Sequence, residues 1–280
     1  MGIFQEIISE VAYTTGQMVG ESRMIKDSKK QLQYWNDHKS KIYSKWVTEC
    51  KKQIELEKMG YFHKKEFEAD FQRLFTGLNT SGYKDYGNRY FRGDGVRKNL
   101  SLALDYYIAA TWEGDIGAAA GGAGRVLLEM KQSDRASVYL YYGAVNGDRN
   151  GNYGLSKVFL DNGYPLHNPA IAHDFSIAAA DQGNVVAMCN VGFDFNTGRG
   201  VELNVVKAHY WYKKGAELGD TNCQYNLGCL YSGTVTATYN NANMAGYWFN
   251  EAAKKGDVSA AENLKSYRYS RLTKRWSKIT

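Results

Sequence analysis

The sequence predicts an all-α protein built from about five helix–turn–helix repeats. An alanine followed eleven residues later by a glycine recurs five times, and successive alanines are 33 to 37 residues apart. Within each frame, a large ring and several small residues fall at helical spacing. A period of this size indicates a stacked repeat array, in which each repeat packs mainly on its neighbours.

The frames predict the second helix of each repeat. Each frame begins at an alanine and ends at a glycine. The frames are Ala103–Gly114, Ala136–Gly147, Ala172–Gly183, Ala208–Gly219 and Ala245–Gly256. The third residue after the alanine is aromatic and the seventh and eighth are small, so these side chains share one helix face. Four frames have an asparagine four residues before the alanine, which suits an N-cap: Asn99, Asn168, Asn204 and Asn241. The closing glycine suits a left-handed helix stop.

A weaker pattern upstream predicts the first helix of each repeat. It combines a bulky residue, a small residue, an aromatic residue and then glycines, as in "YGNRYFRGDGV" (86–96) and "VGFDFNTGRGV" (191–201). The second repeat has "GAAAGGAG" (117–124) in this place. Because no strand precedes that segment and its glycine spacing fits no phosphate-binding loop, we expect a helix of small residues that lets its neighbours approach closely.

These motifs resemble the Sel1-like repeat family, a branch of the tetratricopeptide superfamily. The resemblance rests on "CQYNLGCLYSG" (223–233), "AHYWYKKGAELG" (208–219) and "YFRGDGVRKNLSLALDYYIAA" (90–110). It implies a right-handed α/α superhelical solenoid over residues 81–264, whose first helices line a concave groove that holds another protein. The second repeat departs from the family pattern because it lacks the G-x-G-V turn, and "TVTATYNN" interrupts the fifth.

Residues 1–80 are predicted to form an N-terminal helical region of about three helices. Its three apolar stripes have helical spacing. They are Ile3, Phe4, Ile7, Ile8 and Val11, then Leu32, Trp35, Ile42, Trp46, Cys50 and Ile54, and finally Phe67, Phe71, Leu74, Phe75 and Leu78. Because a solenoid needs capped ends, we expect this region to cover the first repeat. The alternative is that the first stripe is a docking or oligomerisation element.

Residues 265–280 are predicted to form a basic C-terminal capping helix. Tyr269, Leu272, Trp276 and Ile279 would share one face, with Arg268, Arg271, Arg275 and Lys278 beside them. Residues 263–280 contain six basic and no acidic residues, so the tail accounts for the net charge of +6. We expect the helix to seal the last repeat; the alternative is contact with anionic lipid. The nearly neutral repeats offer no continuous basic groove, which argues against nucleic acid as a partner.

We predict no catalytic residue, cofactor or metal site. The nucleophile-elbow, zinc-protease and C-x-x-C motifs do not occur, and His167 and His173 are not spaced to share a helix face. The cysteines, Cys50, Cys189, Cys223 and Cys229, do not recur at one offset, which indicates reduced thiols. The first residues lack a basic leader, and no apolar stretch reaches membrane-spanning length. We therefore expect a cytoplasmic protein.

We interpret the chain as a non-enzymatic protein–protein interaction module. If first helices line a groove, as the resemblance implies, the groove residues fall at fixed offsets from each bulky position. They are Lys84, Asn88, Phe91 and Arg92 in repeat one, Asn150, Tyr153 and Lys157 in repeat three, Phe193 and Asn196 in repeat four, and Asn222 and Tyr225 in repeat five. This aromatic, amide and cationic set suits an extended peptide or a folded domain with an acidic edge.

The family resemblance implies two kinds of cellular role for such a module. The first is a cytoplasmic adaptor, often bacterial, and the second is an inhibitor of the immunity type that occludes its partner. The partner protein in such a role would be, for example, a toxin or a secretion-system component. The alternative is a regulator at the membrane surface that uses the basic C-terminal helix.

Overall fold

The computed structural model describes residues 28–78, 82–114, 116–233, 239–270, 273 and 275–279. Its helices are α1 (Ser28–Phe67), α2 (Ala69–Leu74), α3 (Tyr83–Arg92), α4 (Leu100–Glu113), α5 (Ile116–Glu129), α6 (Ser133–Val145), α7 (Arg149–Leu160), α8 (Pro169–Asp181), α9 (Val185–Thr197), α10 (Val205–Glu217), α11 (Thr221–Tyr231), α12 (Ala242–Lys254) and α13 (Val258–Leu264). Two strands follow, β1 (Tyr267–Ser270) and β2 (Arg275–Lys278). The chain divides into two units after Ala179, and each is described separately.

The helices pack in sequence order within each unit. In the first unit, each helix from α3 to α6 contacts the next one, and the first helices α3, α5 and α7 also contact one another in turn. In the second unit, α9 to α13 pack in the same way, with contacts between α9 and α11 and between α11 and α13. This arrangement confirms the predicted all-α solenoid of helix–turn–helix repeats.

The predicted N-caps are confirmed in all four frames that have an asparagine. Each side chain accepts a hydrogen bond from a backbone N–H two or three residues later, at 2.9 to 3.1 Å; the caps are Asn99, Asn168, Asn204 and Asn241. The helices α7, α9, α11 and α13 are capped likewise, by residues that the sequence did not single out: Asp148, Asn184, Asp220 and Asp257. Both helices of the third, fourth and fifth repeats therefore begin at a side-chain cap.

The glycines that close the second helices are left-handed in four of the five repeats. Gly147, Gly183, Gly219 and Gly256 have φ values near +90°. Gly114 differs, because its φ is −164° and its backbone is extended. In the second repeat, where the glycine turn is missing, Lys131 has a φ of 59°. A residue with a side chain thus occupies a conformation that favours glycine.

First and second helices approach closely where a ring lies over a glycine. A Cβ atom at Gly87 of α3 would lie 2.9 Å from the ring of Tyr107 on α4. At Gly228 of α11 it would lie 2.7 Å from the ring of Phe249 on α12. Both separations are shorter than an ordinary carbon–carbon contact, so the small residue of the first-helix motif makes room for the ring.

The N-terminal helix α1 extends beyond the first repeat. Trp46 is fully buried, and its ring centre lies 5.3 Å from that of Tyr141, 5.1 Å from Phe159 and 5.8 Å from Phe175. These rings belong to α6, α7 and α8, in the second and third repeats. The expected cap on the first repeat is therefore only part of the arrangement, because α1 also lies across the next two repeats.

Polar contacts position α1 along the same face. Glu57 accepts two hydrogen bonds from Arg135 of α6, both at 2.8 Å. Tyr61 donates a hydrogen bond to Glu113 at the end of α4, and Lys39 pairs with an aspartate of α8.

The first apolar stripe, Ile3 to Val11, lies outside the described residues, so the docking interpretation stays a prediction. The third stripe forms a shorter helix than expected: α2 ends at Leu74, although Phe71 and Phe75 are buried.

The predicted C-terminal helix is wrong. The tail forms an antiparallel pair of strands in which Tyr269 lies opposite Trp276, with ring centres 5.1 Å apart. Trp276 packs against Gly246 of α12, and Tyr267 is buried beside Phe249. Cross-strand aromatic pairs and contact with α12 thus stabilise strands where the spacing also fitted a helix. The segment does cover the last repeat, as expected, but as a hairpin.

Candidate partner-binding surface

Four of the predicted groove residues line one cavity in the first unit. The cavity has a volume of about 350 Å³ and lies along the first helices α3, α5 and α7. It is lined by Phe91, Arg125, Leu128, Glu129, Asn150, Tyr153, Gly154 and Lys157. The predicted members of this set are Phe91, Asn150, Tyr153 and Lys157. Because α3, α5 and α7 contact one another in turn, residues of the first and third repeats lie on one continuous surface.

The aromatic rings of the cavity each have a cation nearby. Lys157 Nζ lies 6.0 Å from the ring centre of Tyr153, and Lys98 Nζ lies 5.6 Å from that of Phe91. Lys98 also pairs with Glu129 at 2.5 Å. Burial raises the pKa of Tyr153, so its hydroxyl remains protonated and able to donate a hydrogen bond. The surface therefore combines apolar rings, a phenol donor and positive charge.

Arg125 is a member of this surface that the sequence analysis missed. It comes from α5, in the repeat that has lost the family pattern, so no offset pointed to it. Its Nε is buried and has no hydrogen-bond acceptor within the described residues. Burial raises the pKa of Tyr107, and the charges of Arg125 and Arg92, together with a hydrogen bond from Arg125, oppose that rise.

The other predicted residues of the first unit lie on α3 but do not line the cavity. Asn88 accepts a hydrogen bond from the hydroxyl of Tyr107 at 2.8 Å, so its amide is already engaged. Lys84 is half-buried, whereas Arg92, the last residue of α3, is exposed. Of these three side chains, Arg92 is the one most accessible to a partner.

The predicted residues of the second unit differ in how accessible they are. Phe193 is 41% exposed and has the guanidinium of Arg199 4.8 Å from its ring centre, and Asn222 is exposed. Asn196 has a buried Oδ1 with no hydrogen-bond partner in the described part of the chain. Tyr225 is half-buried and packs against the core of the last repeat, where its ring centre lies 6.0 Å from that of Phe249. Tyr225 is thus partly a structural residue.

Two cysteines and an aspartate form a cluster in the second unit that the sequence analysis also missed. The ligand atoms of Cys189, Asp220 and Cys223 all lie within 4.8 Å of one another. Hydrogen bonding to Cys189 and burial raise the pKa of Cys223, so its thiol is protonated in the absence of a cation. No disulfide joins any of the chain's four cysteines, all of which are described.

The Sel1 repeat family model matches three segments of the chain: residues 81–111, 185–220 and 221–257. These segments correspond to the first, fourth and fifth repeats described above. The chain therefore contains Sel1 repeats, and the resemblance seen in the motifs is confirmed for these segments. The second and third repeats lie outside them, in agreement with the loss of the glycine turn in the second.

Solved structures share the fold. One is the crystal structure of a protective antigen present in uropathogenic Escherichia coli strains, which displays an SLR fold; it is 26% identical with a TM-score of 0.57. That match covers 66% of this chain but only 40% of the antigen. Another is a Sel1 repeat protein from Oxalobacter formigenes, 24% identical with a TM-score of 0.57, covering 74% of this chain and 88% of that one. No curated protein matches the sequence.

The class of repeat gives a general function. Sel1 repeat proteins generally mediate protein–protein interaction and are typically non-catalytic scaffolds.

None of the helices in the described part of the chain combines the length and the apolar character needed to cross a bilayer.

Proposed function

We propose that the surface formed by α3, α5 and α7 binds an acidic segment of a partner protein. The observation that carries the proposal is the cavity of about 350 Å³ where two rings, Phe91 and Tyr153, lie beside the cations Arg125 and Lys157. Glu129 is the one carboxylate among its lining residues, and it is paired with Lys98. A partner carboxylate would therefore complete the charge balance of the surface.

The lining defines the chemistry of the bound segment. Phe91, Leu128 and Gly154 offer apolar area for a side chain such as leucine or phenylalanine. Arg125, Lys157 and the Tyr153 hydroxyl can donate hydrogen bonds to a neighbouring carboxylate. Hydrogen bonds to charged groups contribute about 1.5–3 kcal/mol each when they are partly shielded from water. An apolar residue flanked by aspartate or glutamate fits both requirements.

Binding of an acidic segment suits a cytoplasmic adaptor, or an inhibitor of the immunity type that occludes its partner. A toxin or a secretion-system component is the partner class that the family analogy suggests. The membrane-surface alternative has lost its helical basis, because residues 267–270 and 275–278 are strands. We therefore favour a non-enzymatic interaction module, with recognition on first helices.

The test places a photo-cross-linking amino acid at Tyr153 and identifies the protein that it captures in cells. Binding of that protein to the purified chain is then compared between wild type and Tyr153→Ala/Lys157→Glu. We expect the double variant to weaken binding at least tenfold, and high salt to weaken binding to the wild type, because the contact includes charge pairs.

The matched control is Tyr210→Ala/Lys213→Glu, which makes the same chemical changes at exposed positions of α10. It should bind like wild type. Equal losses in both variants, or no loss in the first, would show that α3, α5 and α7 do not form the binding surface.

A further inference from the structure

A buried pair of thiols lies beside a carboxylate in the second unit. Cys189 is in the second turn of α9, Cys223 is in the first turn of α11, and Asp220 is the N-cap of α11. Cys223 is fully buried and Cys189 is 7% exposed. Because α9 and α11 are neighbouring first helices, the stacking of the fourth and fifth repeats brings together residues that are 34 positions apart.

Local contacts hold the three groups in place. Asp220 Oδ1 accepts a hydrogen bond from the backbone N–H of Cys223 at 2.7 Å, which fixes the carboxylate next to that residue. Gly215 of α10 leaves the space that the Cys223 thiol occupies, since a Cβ atom there would overlap Sγ. Asn226 Nδ2 lies 3.5 Å from Cys189 Sγ and donates to it. Such an outer hydrogen bond is typical of a metal-bound ligand.

We propose that Cys189, Cys223 and Asp220 bind a thiophilic divalent cation, with Zn²⁺ as the best match. Two thiolates and a carboxylate are ligands that zinc accepts, and three protein ligands leave a fourth position open. Ligand atoms on a tetrahedral zinc ion lie about 3–4 Å apart, given Zn–S and Zn–O bonds of about 2.3 and 2.0–2.2 Å. Since the three groups already lie within 4.8 Å of one another, side-chain rotation suffices to close the site.

The charges of the cluster fit the same conclusion. A bound divalent cation would displace the protons of both thiols, and three negative ligand charges would then face two positive charges. Binding would therefore release protons and weaken as the pH falls. Because the ligands come from α9 and α11, a bound ion would also join the fourth and fifth repeats and raise the melting temperature of the protein.

The test is a titration of the full, metal-free chain with Co²⁺ under reducing conditions. Co²⁺ substitutes for Zn²⁺ and reports its ligands by absorption. We expect one equivalent to produce a thiolate-to-cobalt charge-transfer band together with the intense visible bands of tetrahedral cobalt. Added Zn²⁺ should remove these bands, and one equivalent of Zn²⁺ should raise the melting temperature of the metal-free chain.

Matched variants assign the ligands. Cys189→Ala and Cys223→Ala should each abolish the charge-transfer band, whereas Cys50→Ala and Cys229→Ala should retain it. Alanine is tolerable at position 223, because Ala187 and Ala260 occupy the corresponding position, three residues after the N-caps of α9 and α13. If either cysteine variant fails to fold, the remaining one and the Asp220 variant below still decide the question.

Asp220→Asn separates metal binding from helix capping. Asparagine caps a helix about as well as aspartate, so the metal-free variant should melt like metal-free wild type. It should nevertheless bind Co²⁺ about tenfold more weakly or worse, since the loss of even an outer-shell partner has an effect of that size. Absence of the band in wild type, or its persistence in Cys189→Ala/Cys223→Ala, would overturn the proposal.

Discussion

At the scale of single residues, Lys131 is the position where the sequence and the backbone disagree. Its φ of 59° lies in the left-handed region, at the turn where the other repeats have glycine. An L-residue with a Cβ pays roughly 1–2 kcal/mol in that conformation. We expect Lys131→Gly to raise the free energy of unfolding by about 0.5–1 kcal/mol. Glycine removes the backbone strain of the folded state, and this gain exceeds the entropy that glycine adds to the unfolded chain. Urea denaturation measures the difference.

The control for this prediction is Lys131→Ala, which removes the same side chain but keeps the Cβ atom. Its stability should stay within about 0.5 kcal/mol of wild type, as for most exposed positions. If both variants gain equally, the lysine side chain and not the backbone conformation is the source of the effect.

At the scale of elements, α1 is the segment whose packing the structure adds to the repeat pattern. Trp46 is fully buried against rings of α6, α7 and α8. Truncating a buried tryptophan leaves a large cavity, so Trp46→Ala should destabilise the protein by about 3–5 kcal/mol. Chemical denaturation followed by circular dichroism checks the value.

Lys51→Ala is the matched substitution on the exposed face of α1 and should cost less than about 0.5 kcal/mol. A Trp46→Ala protein as stable as Lys51→Ala would mean that α1 does not pack on the second and third repeats. The comparison thus tests whether the packing of α1 stabilises the first unit, and not only whether α1 is helical.

The sequence predicts elements well where local chemistry decides them. The asparagine caps and the ring-over-glycine contacts lie within single repeats, so their spacing alone points to the helices. The tail shows the limit of this reasoning. Tyr269 and Trp276 fit one helix face, yet they also pair across a hairpin, and the contact of Trp276 with Gly246 belongs to tertiary structure. Likewise, the stripe on α1 predicts an apolar face, but it does not show that three repeats pack against that face.

At the scale of the molecule, the candidate sites depend on how repeats stack. Fixed offsets from the family pattern predicted Phe91 and Tyr153, and stacking places both rings at one cavity. The offsets missed Arg125, whose repeat has lost that pattern. Cys189 and Cys223 form no motif in the sequence, since only the packing of α9 on α11 makes them neighbours.

Each unit contains a histidine that makes stability depend on pH. Burial lowers the pKa of His167 in the first unit, and burial together with Lys213 lowers that of His209 in the second. His209 Nε2 lies 2.8 Å from the hydroxyl of Tyr231, and its ring stacks on Tyr239 at 4.3 Å. The unfolded chain therefore binds protons more readily than the folded one between the lowered pKa values and about 6.5.

It follows that the free energy of unfolding should fall as the pH drops below about 6.5. The slope is at most about 1.4 kcal/mol per pH unit for each histidine, and partial exposure reduces it. Partial desolvation raises the pKa values of the carboxyls Asp105, Glu113 and Asp134, which act in the opposite direction because the folded chain then binds their protons more readily. Denaturation curves of wild type and His167→Gln/His209→Gln from pH 7.5 to 5.5 isolate the histidine contribution, because both proteins share the carboxyls. The variant should lose less stability over this range, and parallel curves would show that neither histidine is responsible.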